Sequence, residues 1–305
     1  MFLTPVIDTN VFIDVSKGNI SPQEWNIAKK AAPKKGWPVS AVTLGELLLG
    51  LARSPERNYA QALKPLRLAW DLSRGRVLPD PFIFAMEKVI GGPCGRVTFS
   101  PAQMKDWFQI VCISNSREEL ENRGVTFKRN LYRGKKRATL NLTTIQRMLE
   151  TRQQRFIEGI IARLDSVHPE WRTTRDRTRT TLPKGVQDQF VIHSDPEQWK
   201  IDMALGVLSW VDLEPDVAMA RHLSKKIDAV LVLIDSLARQ VATSNYKFEE
   251  RHSDVADILQ LYYLVDERFC FVTQEKRLVQ LIKDSTQISR VLDFSTFVRQ
   301  LVEQR

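Results

Sequence analysis

The sequence predicts an α/β fold, with a parallel sheet and a mainly α-helical insertion. Three observations lead there. Short apolar runs end on a polar or acidic residue near both ends of the chain: Pro5-Val6-Ile7 stops at Asp8, and Phe269-Cys270-Phe271-Val272 stops at Thr273. Helical patterns with capping residues separate such runs, and strands alternating with helices imply a parallel sheet. From about residue 91 to 245 there is little of the period-2 alternation of half-buried strands, and helical patterns take over. Residues 1–90 and 250–305 are therefore expected to form one α/β domain, and 91–249 the insertion.

The first strand delivers Asp8, with Thr9 and Asn10 beside it, to the carboxyl edge of the sheet. Ligands of open α/β sheets bind beyond that edge. An Asp after a strand is weak by itself, because Asp and Asn recur wherever a chain turns. Ser21-Pro22 opens a helix through Ala32, with Ser as N-cap and Pro in the first turn. Pro33-Lys34-Lys35-Gly36 breaks it, and Trp37-Pro38-Val39-Ser40 reads as a second strand. A helix over 43–52 follows, with Leu47, Leu48, Leu49 and Leu51 as its core face. Its opening, Thr43-Leu44-Gly45-Glu46, has the spacing of a capping box. Helices over 59–72 and 82–90 complete this part.

Past Gly91-Gly92-Pro93 the helix candidates are 102–113, 143–164, 196–210 and 225–241. Between Val167 and Gln187 lies a polar loop whose Thr and Arg content cannot bury a core. At Ser253 the opening pattern returns. A helix over 254–266, a strand over 269–273, a helix over 275–282, a strand over 291–292 and a helix over 295–302 are expected.

The 305 residues are 43% hydrophobic, enough for a sizeable core. Cys94, Cys112 and Cys270 are odd in number and far apart, and the four histidines share no ligand spacing, so neither a disulfide framework nor a zinc site is indicated. No signal peptide or membrane span is read, and a cytoplasmic location without membrane contact is expected. The net charge of +9 is segregated. Residues 117–184 hold 17 Lys and Arg against 8 Asp and Glu, while the rest of the chain balances at 28 of each. Such a block is a candidate footprint for a polyanion. The expected contacts are Lys135, Lys136 and Arg137, with Arg172, Arg175, Arg177 and Arg179 in the polar loop.

Several carboxylates fall just beyond strands or at helix starts: Asp8, Glu46, Asp254, Asp257 and Glu275. One crevice could collect them. Crowded carboxylates repel one another unless a cation sits among them, and Mg²⁺ or Mn²⁺ suits oxygen ligands. Each acid also has an ordinary explanation. Glu46 could only complete a capping box, and Asp254 or Glu275 could only favour a helix N-terminus.

In chain order, these residues resemble the motifs of the PIN-domain nucleases. The matching stretches are Val6-Ile7-Asp8-Thr9-Asn10-Val11-Phe12-Ile13-Asp14, Val39-Ser40-Ala41-Val42-Thr43-Leu44-Gly45-Glu46-Leu47, Ser253-Asp254-Val255-Ala256-Asp257 and Phe271-Val272-Thr273-Gln274-Glu275-Lys276-Arg277-Leu278. The resemblance covers the two ends, roughly half the chain. It implies a Rossmann-like parallel sheet, metal-dependent phosphodiester hydrolysis, and usually RNA as substrate. Carried over position by position, Asp8 and Glu46 resemble the first two metal-binding acids. Asp257 resembles the third, because the family places it 16 residues before the Thr that ends the strand, here Thr273, and Asp254 stands by as a helper. Glu275 resembles the fourth acid, where the family more often has Asp. Asn10, Ser40 and Thr273 resemble polar residues that orient waters or ligands. The long insertion departs from the compact family pattern, so substrate choice does not carry over.

The expected function is a metal-dependent endonuclease, with an endoribonuclease favoured. A DNA or structure-specific nuclease and an inactive nucleic-acid-binding module are the alternatives. The resemblance also admits the toxin of a toxin–antitoxin pair, with an antitoxin as protein partner, although such toxins are usually short.

Overall fold

The computed structural model describes residues 3–92, 101–123, 125–129, 136–140, 151, 196–209, 216–243 and 252–304. The described strands are β1 (Thr4–Ile7), β2 (Val125–Arg129), β3 (Lys136–Leu140), β4 (Phe269–Val272) and β5 (Val291–Leu292). Helices account for most of the rest. The sheet joins β1, β4 and β5 in that order, all parallel, so their carboxyl ends share one edge. Ile7 pairs with Val272, which puts Asp8 and Thr273 side by side just past the last pair. The Asp8 N–H still donates to the Val272 carbonyl at 2.9 Å.

β1 and β4 are buried along almost their whole length, as strands covered on both faces must be. Alternation along each strand sorts its side chains between two cores. Ile7, Cys270, Val272 and Leu292 enter the first, which is filled from α1 (Thr9–Lys17), α2 (Pro22–Ala31), α3 (Ala41–Arg53) and α4 (Tyr59–Ser73). Val6, Phe269, Phe271 and Val291 enter the second, with Ala85 and Met86 of α5 (Pro81–Ile90). Phe271 has no exposed surface, and burying such a side chain stabilises by roughly 1.5–3 kcal/mol.

The described helices of the 91–249 segment join both layers. α6 (Pro101–Ile113) and α7 (Arg117–Arg123) give Trp107, Phe108 and Leu120 to the first core. α8 (Pro196–Ser209), α9 (Val217–Lys226) and α10 (Asp228–Thr243) give Ala204, Leu223 and Leu231 to the second. α11 (His252–Leu261) and α12 (Lys276–Leu281) pack on that side too, and α13 (Phe294–Glu303) on the first.

Local sequence explains many boundaries. Ser21 and Glu24 form a capping box at α2. Asp80 caps α5 ahead of Pro81, and Asp293 caps α13. α1 was not expected. Asp8 is its N-cap, and Gly18, at φ +81°, closes it in the left-handed region where glycine is favoured.

Other elements differ from expectation. The 37–40 segment is not a strand of the sheet: Val39 makes a single parallel bridge to Val77. Pro38 has no N–H to extend that ladder. α3 starts at Ala41, not at Thr43, because the Ser40 side chain accepts from Thr43 N–H and caps it. The helix expected over 225–241 breaks at Ile227 into α9 and α10. Gln287 holds the break, taking the Ala229 N–H and donating to the Lys226 carbonyl. Asp228 is buried beside it and accepts from Lys200, Ser285 and Thr286. The helix expected over 254–266 gives way after Leu261 to a 3₁₀ turn, Tyr262–Val265.

β2 and β3 pair antiparallel where helices and loops were expected. The 143–164 helix and the 167–187 loop lie outside the described residues. Among the described residues no helix is long and apolar enough to cross a membrane.

Candidate metal centre

The carboxyl edge of the sheet gathers the acids. Asp8, at the end of β1, is buried and held by three donors. Thr9 N–H and Gln260 Nε2 donate to Oδ1 at 2.6 and 3.0 Å, and Thr273 Oγ1 donates to Oδ2 at 2.8 Å. Asn10 ties the two strand exits together: its Nδ2 donates to Thr273 Oγ1, and its Oδ1 accepts from Gln274 N–H.

Glu46 lies in the second turn of α3, not the first. Its Oε2 accepts from Thr9 Oγ1. The capping-box explanation for Glu46 therefore falls, since Ser40 is the cap and Thr43 receives it. Ser40 itself has no exposed surface. Its hydroxyl donates to Thr43 Oγ1, so it supports the site from behind and faces neither water nor a ligand.

α11 presents Asp254, Asp257 and Gln260 at three-residue intervals, while Val255 and Ile258 enter the second core. Residues three apart share a helix face. Asp254 accepts from Arg277 Nη1 at 2.9 Å and from Nη2 at 3.4 Å. Asp257 is 6% exposed and accepts no hydrogen bond from any described residue. Glu275 starts α12 but makes no side-chain cap there, so the ordinary reading of a helix N-terminal acid gains no bond to support it. One carboxylate oxygen from each of Asp254, Asp257 and Glu275 lies within 4.8 Å of the others.

Electrostatics follow from this crowding. Burial first, then the charges of Asp8, Glu275, Glu46 and Asp254, raise Asp257 well above the usual carboxylate range. Burial and then Asp8 push Glu46 up to about 8. Burial also lifts Asp8 against the pull of Thr273, Gln260, Thr9 and Asn10, and it lifts Glu275 against the nearby Arg277. Without a cation the crevice would hold protons, and cation binding would release them. The donor set is all oxygen, which fits a hard divalent ion. Asp254, Asp257 and Glu275, with Asp8 and Glu46 beside them, are the residues that would hold it.

Three of the five expected acids, Asp254, Asp257 and Glu275, bring oxygens together, and the charges of Asp8 and Glu46 are felt at Asp257. The basic residues are placed differently. Lys136 and Arg137 lie on β3, opposite Arg129 and Lys128 of β2. Lys135, Arg172, Arg175, Arg177 and Arg179 fall outside the described residues. Sequence patterns assign no role to Thr9 or Arg277, although both lie in the matching stretches, and leave Gln260 and Gln240 unmarked. Gln260 was within reach, three residues past Asp257 on one helix face; nothing local marks Gln240, which arrives from α10 to accept from Arg277 Nη2 at 3.0 Å. Comparison with known proteins finds no matching family model, curated protein or solved structure.

Proposed function

We propose that this chain is a metal-dependent endonuclease of the PIN type, taking Mg²⁺ or Mn²⁺ and cutting RNA in preference to DNA. The observation that carries the reading is the crowding of acids: one oxygen each of Asp254, Asp257 and Glu275 lies within 4.8 Å of the others, and Asp257 is buried under the charges of Asp8, Glu275, Glu46 and Asp254. Such an arrangement is costly in a protein with no cation to bind. A bound divalent ion would supply Lewis-acid chemistry and an activated water at a phosphodiester. The chain's own part is positional. Thr9, Gln260 and Thr273 fix the Asp8 carboxylate, and Asn10 keeps the exits of β1 and β4 in register. Glu46 is steadied by Thr9. The basic 117–184 segment offers phosphate contacts for a nucleic-acid strand.

The test is incubation of the purified protein with a panel of RNAs and DNAs in Mg²⁺ and in Mn²⁺, with Asp257→Asn and Asp8→Asn alongside. Cleavage that disappears in both variants while both stay folded is the expected result. Equal cleavage by wild type and variants would trace the activity to a contaminant and remove the enzyme reading. Cleavage of DNA alone would keep the chemistry and reverse the substrate.

A further inference from the structure

We infer that two touching turns, 33–36 and 73–76, form a docking surface for a nucleic-acid backbone, separate from the acids and from the basic 117–184 segment; the nature of the polyanion rests on the nuclease reading above. Gly36 N–H donates to the Pro33 carbonyl and Arg76 N–H to the Ser73 carbonyl, which closes each turn. Trp37 N–H donates to the Leu72 carbonyl at 3.1 Å and Arg76 Nη1 to the Gly36 carbonyl at 2.7 Å, which joins them. A Cβ on Gly36 would come 2.5 Å from the Ser73 backbone, so no side chain fits between the turns. The helices that lead into them, α2 and α4, are linked by Lys29 and Asp71 at 3.6 Å. Lys29, Lys30, Lys34, Lys35, Arg74 and Arg76 are all exposed here. Asp71 answers Lys29, while Lys30, Lys34, Lys35 and Arg74 have no ion pair among the described residues. Outside 117–184 the sequence balances in sign, so this patch exists only through the fold. Unanswered cations gathered on one surface are the footprint of a polyanion.

Arg74 adds an argument of its own. It closes α4 at φ 53°, in the left-handed region where glycine is favoured, and among the described residues no other non-glycine residue has a positive φ. Folding alone favours Gly at that position, whereas a phosphate favours Arg, whose guanidinium offers paired donors. Ser40, the cap of α3 behind the site, follows Gly36 by four residues, at most roughly 14 Å of extended chain. A strand of several nucleotides is long enough to reach from the turns to the acids. The competing role is local: cations favour the negative ends of α2 and α4. The two roles differ in what is lost with the charge. A helix-end role loses stability and leaves RNA binding alone; a docking role loses affinity and leaves stability alone.

The experiment compares three full chains: wild type, the triple variant Lys34→Gln, Lys35→Gln, Arg74→Gly, and a control with Arg221→Gln, Lys225→Gln and Lys283→Gln, which removes the same charge from exposed positions elsewhere. Affinity for a long single-stranded RNA is measured against salt in EDTA, where no metal-dependent cleavage interferes, and urea midpoints are taken alongside. The triple variant should bind about tenfold or more weakly at low salt, with the slope of log K against log salt reduced by roughly 2, at about 0.7 per single-strand contact. Its urea midpoint should not fall, and the control should bind as wild type does. Unchanged affinity and slope in the triple variant would overturn the inference and leave these cations to the helix ends or to an acidic protein partner. An equal loss in the control would overturn it too, by tracing binding to net charge alone. Both results leave the nuclease reading standing if the wild type cuts RNA in Mn²⁺. A wild type that binds RNA through these turns and cuts nothing in either metal would remove the nuclease reading and keep the surface.

Discussion

Replacing Glu46 by Gln should stabilise the metal-free protein at alkaline pH and flatten its pH dependence. Burial, and then the Asp8 charge, move Glu46 from 4.5 up to about 8. The unfolded chain releases that proton near the ordinary value. Between the two values the folded state therefore binds one proton more than the unfolded state, and stability falls as pH rises through that window. The slope for one full proton is about 1.4 kcal/mol per pH unit. Over the window from 4.5 to about 8 this reaches roughly 4–5 kcal/mol, comparable to the lower end of whole-domain stabilities. Gln keeps the shape, and its side-chain oxygen can still accept from Thr9 Oγ1. It cannot ionise, so its share of the pH dependence disappears. The measurement is urea unfolding of both proteins in EDTA at about pH 5, 6.5 and 8. The variant should match wild type closely at the lowest pH and exceed it by a few kcal/mol at the highest. Parallel profiles would refute the argument. Added Mn²⁺ should reverse the order, because an ion bound only by the folded state stabilises by mass action and the variant has one ligand fewer.

Gln260→Leu should cost about 1–3 kcal/mol and lower kcat, since Asp8 Oδ1 loses a buried donor, while the Thr43 hydroxyl keeps the Ile7 carbonyl as acceptor; unchanged urea midpoints and kcat would discard that role. Changing Arg172, Arg175, Arg177 and Arg179 together to Gln should weaken RNA binding at low salt. If all four meet phosphates, the slope of log K against log salt should drop by roughly 3, at about 0.7 per single-strand contact. An unchanged slope would assign these arginines to solubility or to a protein partner.

What the sequence made legible was local. An apolar run closed by a polar residue marks a buried strand end, and β1, β4 and β5 were found this way. A Ser or Asp ahead of Pro marks a helix start, as at Ser21 and Asp80. Features set by distant residues stayed hidden. The break between α9 and α10 is held by Gln287 and by the Lys200–Asp228–Ser285 contacts, which no window of sequence brings together. α1 carries no separate start signal, because its N-cap is the same Asp8 that ends the strand. The hairpin was obscured because only Val125 and Phe127, paired with Leu140 and Ala138, carry an apolar alternation among basic neighbours.

The choice between Asp254 and Asp257 shows how the site itself divides along this line. Spacing from Thr273 favours Asp257, but spacing says nothing of partners. The fold separates the two by what faces them. Asp254 is met by Arg277, so its charge is compensated within the protein. Asp257, one helical turn on, stands under the charges of Asp8, Glu275, Glu46 and Asp254 and has no hydrogen-bond donor among the described residues. A cation gains more from a carboxylate that lacks a counter-charge than from one that must share it. Metal affinity should therefore depend most on Asp257. Asp254 keeps one oxygen close to Asp257 and Glu275 while Arg277 compensates its charge. A residue so placed lends the site an oxygen while adding less uncompensated charge to it than Asp257 does.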